Sequence, residues 1–175
     1  MEAVDKIRDT ADSHGRCNII KVMGRNSGNI ALNVGIASGA EAILVPEKEF
    51  SFENDVLAAI ENGKKRGKMH FIVVVAEGVN LDVYELEKKI QAETSVETRT
   101  TILGYFQRGG APTVLDRIRA SEIGCRAVEL LKEGIGNRVI GIKNDEVFDM
   151  DIFEALSMKS EARDDLIELW QKLSI

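Results

Sequence analysis

The chain has 175 residues, of which 44% are hydrophobic and 30% charged, with only two prolines. That composition excludes disorder, collagen-like repeats and mucin-like stalks, and the length suits one generous domain or part of a larger protein. A net charge of −6 argues against a general nucleic-acid binder, which needs a net basic surface, so any anion must be held at a local site.

Apolar runs of about five residues alternate with longer segments of helical period, the pattern of parallel βαβ units. In chain order, Met1 to Ala11 reads as a helix and Asn18 to Val22 as a buried strand. Ser27 to Ala37 reads as a helix capped by Ser27, with Gly39 just past its end. Ala42 to Val45 is a second strand stopped by Pro46, and Asn54 is the expected cap of a helix reaching about Arg66. Phe71 to Ala76 has the unbroken apolar character of a strand covered on both faces. An amphipathic helix at Val83 to Thr94 and a fourth strand at Arg99 to Leu103 follow. A loop from Gly104 to Pro112 precedes a long helix, Val114 to Lys132, closed by Gly134; Val139 to Lys143 is a fifth strand and Ser160 to Leu173 a last helix. The fold class expected is α/β, a three-layer α/β/α Rossmann-like arrangement with a mostly parallel sheet.

No apolar run approaches the length of a bilayer span and the N-terminus has no signal-like core, so a cytoplasmic protein without membrane partners is expected. Cys17 and Cys125 are too few for a disulfide framework and read as reduced structural thiols. No His, Cys and carboxylate cluster has metal-ligand spacing, no Ser/His/Asp or Cys/His pairing suggests a covalent nucleophile, and there is neither a Walker-type loop nor a dinucleotide fingerprint.

In open α/β sheets ligands bind beyond the carboxyl ends of the strands, and the unusual residues gather there. After the first strand comes Met23-Gly24-Arg25-Asn26-Ser27-Gly28, which reads either as a phosphate or sugar-phosphate cradle backed by a helix N-terminus or as a tight turn with a solvated arginine. After the third strand stands Glu77-Gly78, an acid able to accept from sugar hydroxyls or simply to cap or pair. The fourth strand carries Arg99 at its start and Gly104-Tyr105-Phe106-Gln107-Arg108-Gly109-Gly110 at its end, a combination suited to a phosphate shared by backbone and guanidinium. Arg16 lies on the opposite, N-terminal side of the strands and does not reach the same ligand within one chain. Arg66-Gly67-Lys68 with Arg8 forms a second basic set, although by itself the run Lys64 to Lys68 reads as a solvated helix end.

The strings Val22-Met23-Gly24-Arg25, Val74-Val75-Ala76-Glu77-Gly78 and Leu103 to Thr113, with Arg8-Asp9-Thr10, Gly39-Ala40-Glu41 and Val139-Ile140-Gly141-Ile142 between and around them, resemble the C-terminal half of bacterial 6-phosphofructokinase. The resemblance covers the whole chain, with the motifs in family order and spacing. It implies transfer of the γ-phosphoryl of ATP to the 1-hydroxyl of fructose 6-phosphate, with Mg2+, in a homotetramer of two-domain subunits. It further implies that Met23, Gly24 and Glu77 hold the sugar, that Arg25 also stabilises the transferring phosphoryl, and that Tyr105, Phe106, Gln107 and Arg108 take the 6-phosphate. Arg16 and Arg99 would reach that phosphate in a neighbouring subunit. Arg8, Gly39, Ala40, Glu41, Arg66, Lys68, Met69 and His70 would form the effector site for ADP or phosphoenolpyruvate.

Two positions depart from the family pattern: Tyr105 stands where histidine is usual, and Met69 where many members have a basic residue, which predicts a weaker effector response. The resemblance also divides the chain into a substrate domain at 1–112 with 158–175, and a segment at 113–157 that returns to a first domain. The family's ATP loop, its magnesium-holding acid and its Thr-Ile-Asp-Asn-Asp string have no counterpart in these 175 residues. The expectation is therefore a fragment inactive by itself, with the returning strand Val139 to Lys143 left with an unpaired edge and an uncovered apolar face. A pyrophosphate-dependent phosphofructokinase and a non-catalytic sugar-phosphate-binding regulatory protein are the alternatives.

Overall fold

A computed structural model describes residues 1–158 and 163–173. It divides into two compact units, one formed by 1–108 with the C-terminal segment and one by 109–160.

The first unit begins with helix α1 (Glu2–His14), strand β1 (Cys17–Val22), helix α2 (Asn29–Ser38) and strand β2 (Ala42–Leu44). A π-helical turn, Phe52–Leu57, runs into α3 (Ala58–Lys65), followed by β3 (Phe71–Ala76), α4 (Val83–Thr94) and β4 (Thr98–Ile102). The four strands form one parallel sheet in the order β2-β3-β1-β4. All six residues of β3 are buried, as its unbroken apolar run requires, and each of its fully buried valines stabilises the unit by about 1.5–3 kcal/mol. Right-handed crossovers put α2 on one face and α3 and α4 on the other. Helix α1 borders α2 on the first face, and α7 (Asp164–Leu173) packs on α2. The α/β expectation with helices on both faces of a parallel sheet holds.

Several boundaries differ from expectation for local reasons. Helix α1 continues to His14. The N-cap of helix α2 is Gly28, one residue after the expected Ser27; Ser27 Oγ still accepts from Asn29 N–H at 3.4 Å, and both oxygens of Glu47 accept from the Gly28 N–H at 2.8 and 3.0 Å. A carboxylate therefore already sits at that helix N-terminus, where the dipole favours negative charge. The third helical segment starts from Ser51, whose hydroxyl accepts from Asn54 N–H at 3.3 Å while Asp55 accepts from Ser51 N–H at 2.7 Å. Asn54 is therefore inside the turn. Strand β4 is shifted one residue toward the N-terminus from the expected Arg99 start. The expected start of the last helix, Ser160, lies outside the described residues.

The second unit holds α5 (Val114–Lys132), β5 (Arg138–Lys143), β6 (Glu146–Asp151) and α6 (Ile152–Ser157). Thr113 and Asp116 form a reciprocal capping box at the start of α5. Strand β5 pairs antiparallel with β6, from Arg138 opposite Asp151 to Lys143 opposite Glu146, and in this two-stranded sheet its other edge is unpaired among the described residues, as expected. The joining residues Asn144 and Asp145 have φ of 54° and 63°, the backbone of a two-residue I′ hairpin turn. Asn-Asp between two alternating segments was the available signal for that hairpin. Val114, Leu115, Leu131, Phe153 and Leu156 leave apolar surface exposed on the helices of this unit, whereas Val139, Ile140 and Ile142 of β5, the strand expected to have an uncovered face, are half-buried.

Candidate functional site

Strand order makes one crevice. Strands β1 and β3 are neighbours, yet the chain leaves β1 toward α2 on one face and β3 toward α4 on the other, so their carboxyl ends form a switch point where the following loops diverge. The register places Val22 opposite Ala76, and hence Met23 beside Glu77.

The loops are tied together there by hydrogen bonds. Glu77 Oε1 accepts from the backbone N–H of Gly24 at 3.0 Å and of Arg25 at 2.6 Å. From the other side, Gln107 Oε1 accepts from Met23 N–H at 3.2 Å while its amide nitrogen donates to Gly104 O at 3.3 Å. Gly104–Gln107 is a single 3-10 turn following β4. Three loops distant in sequence thus meet around Met23, Gly24 and Arg25.

Arg25 has φ of 50°, a left-handed conformation uncommon for a side chain of its size. Its carbonyl oxygen would lie 2.0 Å from a Cβ at position 78, so only glycine fits there. Gly78 escaped the sequence reading as a site residue, because its role is to let a distant loop approach. Glu47 was missed in the same way.

The electrostatics favour hydroxyl and phosphate ligands. The N–H groups of Arg25 and then Gly24 hold the Glu77 carboxyl below the usual carboxylate range, with help from the charges of Arg108 and Lys21. Glu77 is therefore an ionised acceptor at neutral pH, and Oε2 has no hydrogen-bond partner among the described residues. The guanidinium of Arg108 lies 5.4 Å from the Tyr105 ring centroid. Neither Arg25 nor Arg108 forms an ion pair among the described residues, and both are exposed, as are Tyr105 and Phe106. Exposed cations beside an acceptor and three backbone turns make a surface suited to a polyhydroxylated phosphate.

Arg16 and Arg99 lie elsewhere. They stand at the N-terminal ends of β1 and β4, a strand length of roughly 17 Å from the crevice, as the sequence position of Arg16 predicts. Both guanidinium groups pair with Glu97.

A second hollow, about 140 Å3, brings together Gly39, Ala40 and Glu41 with Arg66 and Lys68 of the basic set, and with Asn62 and Trp170. Lys68 pairs with Glu41 Oε1, whose other oxygen accepts from Ile72 N–H at 2.6 Å. Trp170 Nε1 donates to Ala40 O at 3.0 Å and so joins α7 to this loop; sequence alone did not single it out. Lys64 instead pairs with Glu61 and donates to Thr94 O at the end of α4, outside this hollow. Arg8, Met69 and His70 do not line this hollow; Arg8 pairs with Asp5, and Met69 is 73% exposed. Cys17 is a structural thiol, its pKa pushed up to about 12 by burial and then by the charge of Glu41.

The phosphofructokinase family model matches residues 1–131. The chain belongs to the phosphofructokinase family. It is 51% identical over all 175 residues to an ATP-dependent 6-phosphofructokinase of Bacillus cytotoxicus and 49% identical to one of Alkaliphilus metalliredigens, covering 54% of each. The chain spans about half the length of these curated relatives. Among solved structures it resembles the phosphofructokinase of Saccharomyces cerevisiae, with a TM-score of 0.83, 30% identity and coverage of 98% of this chain and 24% of that one. A Pichia pastoris phosphofructokinase in the T-state matches with a TM-score of 0.82, also at 30% identity, over 98% of this chain and 21% of that one. Phosphofructokinase membership agrees with the α/β sheet and with the resemblance of the crevice motifs. No helix among the described residues is long and apolar enough to cross a membrane.

Proposed function

We propose that these residues form the fructose 6-phosphate side of an ATP-dependent 6-phosphofructokinase. The observation that carries this reading is the convergence of Met23, Gly24, Arg25, Glu77 and Gln107 at one switch-point crevice, with Arg108 on the adjoining turn. Glu77 accepts sugar hydroxyls through Oε2, and the backbone of Met23 and Gly24 lines the sugar. Arg108, with Tyr105 to Gln107, takes the 6-phosphate. Arg25 stabilises negative charge on the phosphoryl as it moves toward the 1-hydroxyl; in phosphoryl transfer such preorganised positive charge is the principal catalytic device.

The reaction also needs Mg2+, which would neutralise phosphate charge. Among the described residues no three His, Cys, Asp or Glu side chains gather as a metal site. The roles above belong to this chain's side chains alone. Arg16 and Arg99 serve the phosphate of a neighbouring subunit in a homotetramer. The hollow at Gly39–Glu41, Arg66 and Lys68 takes ADP or phosphoenolpyruvate, with a response weakened by Met69. Residues 1–112 with 158–175 act as the substrate domain, and 113–157 packs with a nucleotide-binding domain of the whole enzyme.

Calorimetry of the chain with fructose 6-phosphate tests the reading: weak binding is expected, and Arg108→Ala abolishes it. Binding unaffected by Arg108→Ala overturns the site. A coupled assay on the 175 residues is expected to show no turnover, and ATP-dependent product formation would overturn the assignment of nucleotide chemistry to residues elsewhere.

A further inference from the structure

Two arginines at the N-terminal end of the sheet face one acid. Arg16 immediately precedes β1, and Arg99 lies in β4, where it is opposite Asn18 of β1. Arg16 Nε is 2.9 Å from Glu97 Oε2, and Arg99 donates to Glu97 Oε1 from Nε at 3.1 Å and from Nη2 at 2.7 Å. The Glu97 main-chain oxygen accepts from Cys17 N–H at 2.9 Å, so the sheet itself fixes where this acid stands.

The group is held by charge and is incompletely satisfied. Contact with Arg16, then with Arg99, keeps the Glu97 carboxyl below the usual carboxylate range, so it is ionised at neutral pH. Arg16 Nε is buried yet has no well-aligned hydrogen bond, while the side chains of Arg99 and Glu97 are 62% and 42% exposed. The Arg99–Glu97 pair is exposed and contributes little to folding, while the Arg16 side chain is only 28% exposed. Two guanidinium forks converging on a single carboxylate offer the donors that a phosphate also takes, and a phosphate dianion is the stronger acceptor.

We infer that Glu97 is a built-in stand-in for phosphate: it keeps Arg16 and Arg99 convergent when no phosphorylated ligand is present, and competes with that ligand when it arrives. Glu97 is thus a positioning residue that lowers the affinity of the arginine pair and sets the concentration at which it engages. The inference rests on the reading that Arg16 and Arg99 take a sugar phosphate.

The test is nuclear magnetic resonance of the Nε–H signals of Arg16 and Arg99 in the whole 175-residue chain, assigned with Arg16→Lys and Arg99→Lys. The chain is titrated with inorganic phosphate and then with fructose 6-phosphate. Both signals are expected to move in the wild type, and Glu97→Gln is expected to tighten the apparent Kd roughly two- to fivefold, the range set by an exposed ion pair. A gain in affinity is a result that loss of a merely structural contact does not produce. Glu97→Asp, which draws the carboxylate back by one methylene, should move the Kd in the same direction by less, and serves if the Gln variant does not fold. Unchanged or weaker binding in the folded variants overturns the inference while leaving the arginines as ligands. If neither anion moves the two signals in any variant, the inference falls together with the phosphate role of Arg16 and Arg99. The Arg108→Ala calorimetry reports the opposite end of the sheet and stands or falls separately.

Discussion

Glu77 accepts a 2.6 Å hydrogen bond from the backbone N–H of Arg25, so the acid proposed to hold the sugar also fixes the backbone of the residue proposed to act on the phosphoryl. Substrate contact and catalytic charge are thereby mechanically linked. In Glu77→Ala the loop loses its shared acceptor, and fructose 6-phosphate binding should fall along with order at Gly24 and Arg25. Glu77→Gln keeps an acceptor oxygen and should retain more of both. Amide spectra of the two variants, recorded beside calorimetric titrations, check the order of severity.

The same bonds have a pH signature. The folded pKa of Glu77 is depressed below its ordinary value of 4.5, so the contribution of the ionised form is fully present above that value and disappears as pH falls through the lower folded pKa. The amide signals of Gly24 and Arg25 should therefore titrate together with a midpoint below 4.5, and Glu77→Gln should abolish the transition. A midpoint above 4.5 would contradict the hydrogen-bonded geometry.

Gly78 is a steric requirement of the crevice. A methyl group at that position meets the Arg25 carbonyl oxygen, backbone that has little room to yield. Gly78→Ala should destabilise the chain by about 1–3 kcal/mol and weaken sugar-phosphate binding, since one of the two loops must move. Denaturant unfolding measures the first effect and calorimetry the second.

Arg25 separates stability from function. Its left-handed φ of 50° costs a non-glycine residue roughly 1 kcal/mol, a cost close to the chain entropy that glycine brings. Arg25→Gly is expected to leave thermal stability nearly unchanged while removing the cation from the crevice. A loss of stability as large as that of Gly78→Ala would show that the Arg25 side chain supports the fold.

Trp170 reports on the second hollow. It is the chain's single tryptophan, and its indole N–H holds Ala40 O beside Glu41 and Lys68. Its fluorescence should respond to ADP or phosphoenolpyruvate binding, and Lys68→Ala should remove the response. Trp170→Phe loses the hydrogen bond together with part of the packed ring, so its cost exceeds the ~0.5–1.5 kcal/mol of the hydrogen bond alone. A ligand response that survives Lys68→Ala would place the effector elsewhere.

The amino-acid sequence by itself determined the alternation of strands and helices, the doubly covered strand Phe71–Ala76 and the motifs by which the family is recognisable. These are local matters: periodicity, strand propensity and short strings are written in contiguous residues. Only the tertiary structure decided that Glu77 ties down Gly24 and Arg25, that Glu47 fills the N-terminus of α2, and that Arg16 and Arg99 share Glu97. Each of these contacts joins loops or strand ends brought together by sheet register, Val22 against Ala76 and Asn18 against Arg99, and such pairings leave no period in the chain. The antiparallel partner of β5 was nearer to legibility, because Asn144 and Asp145 carry the turn. Composition indicated that an acidic protein would need a local cationic site for an anion; the fold distributes those cations, exposing Arg25 and Arg108 at one end of the sheet and holding Arg16 and Arg99 against an acid at the other.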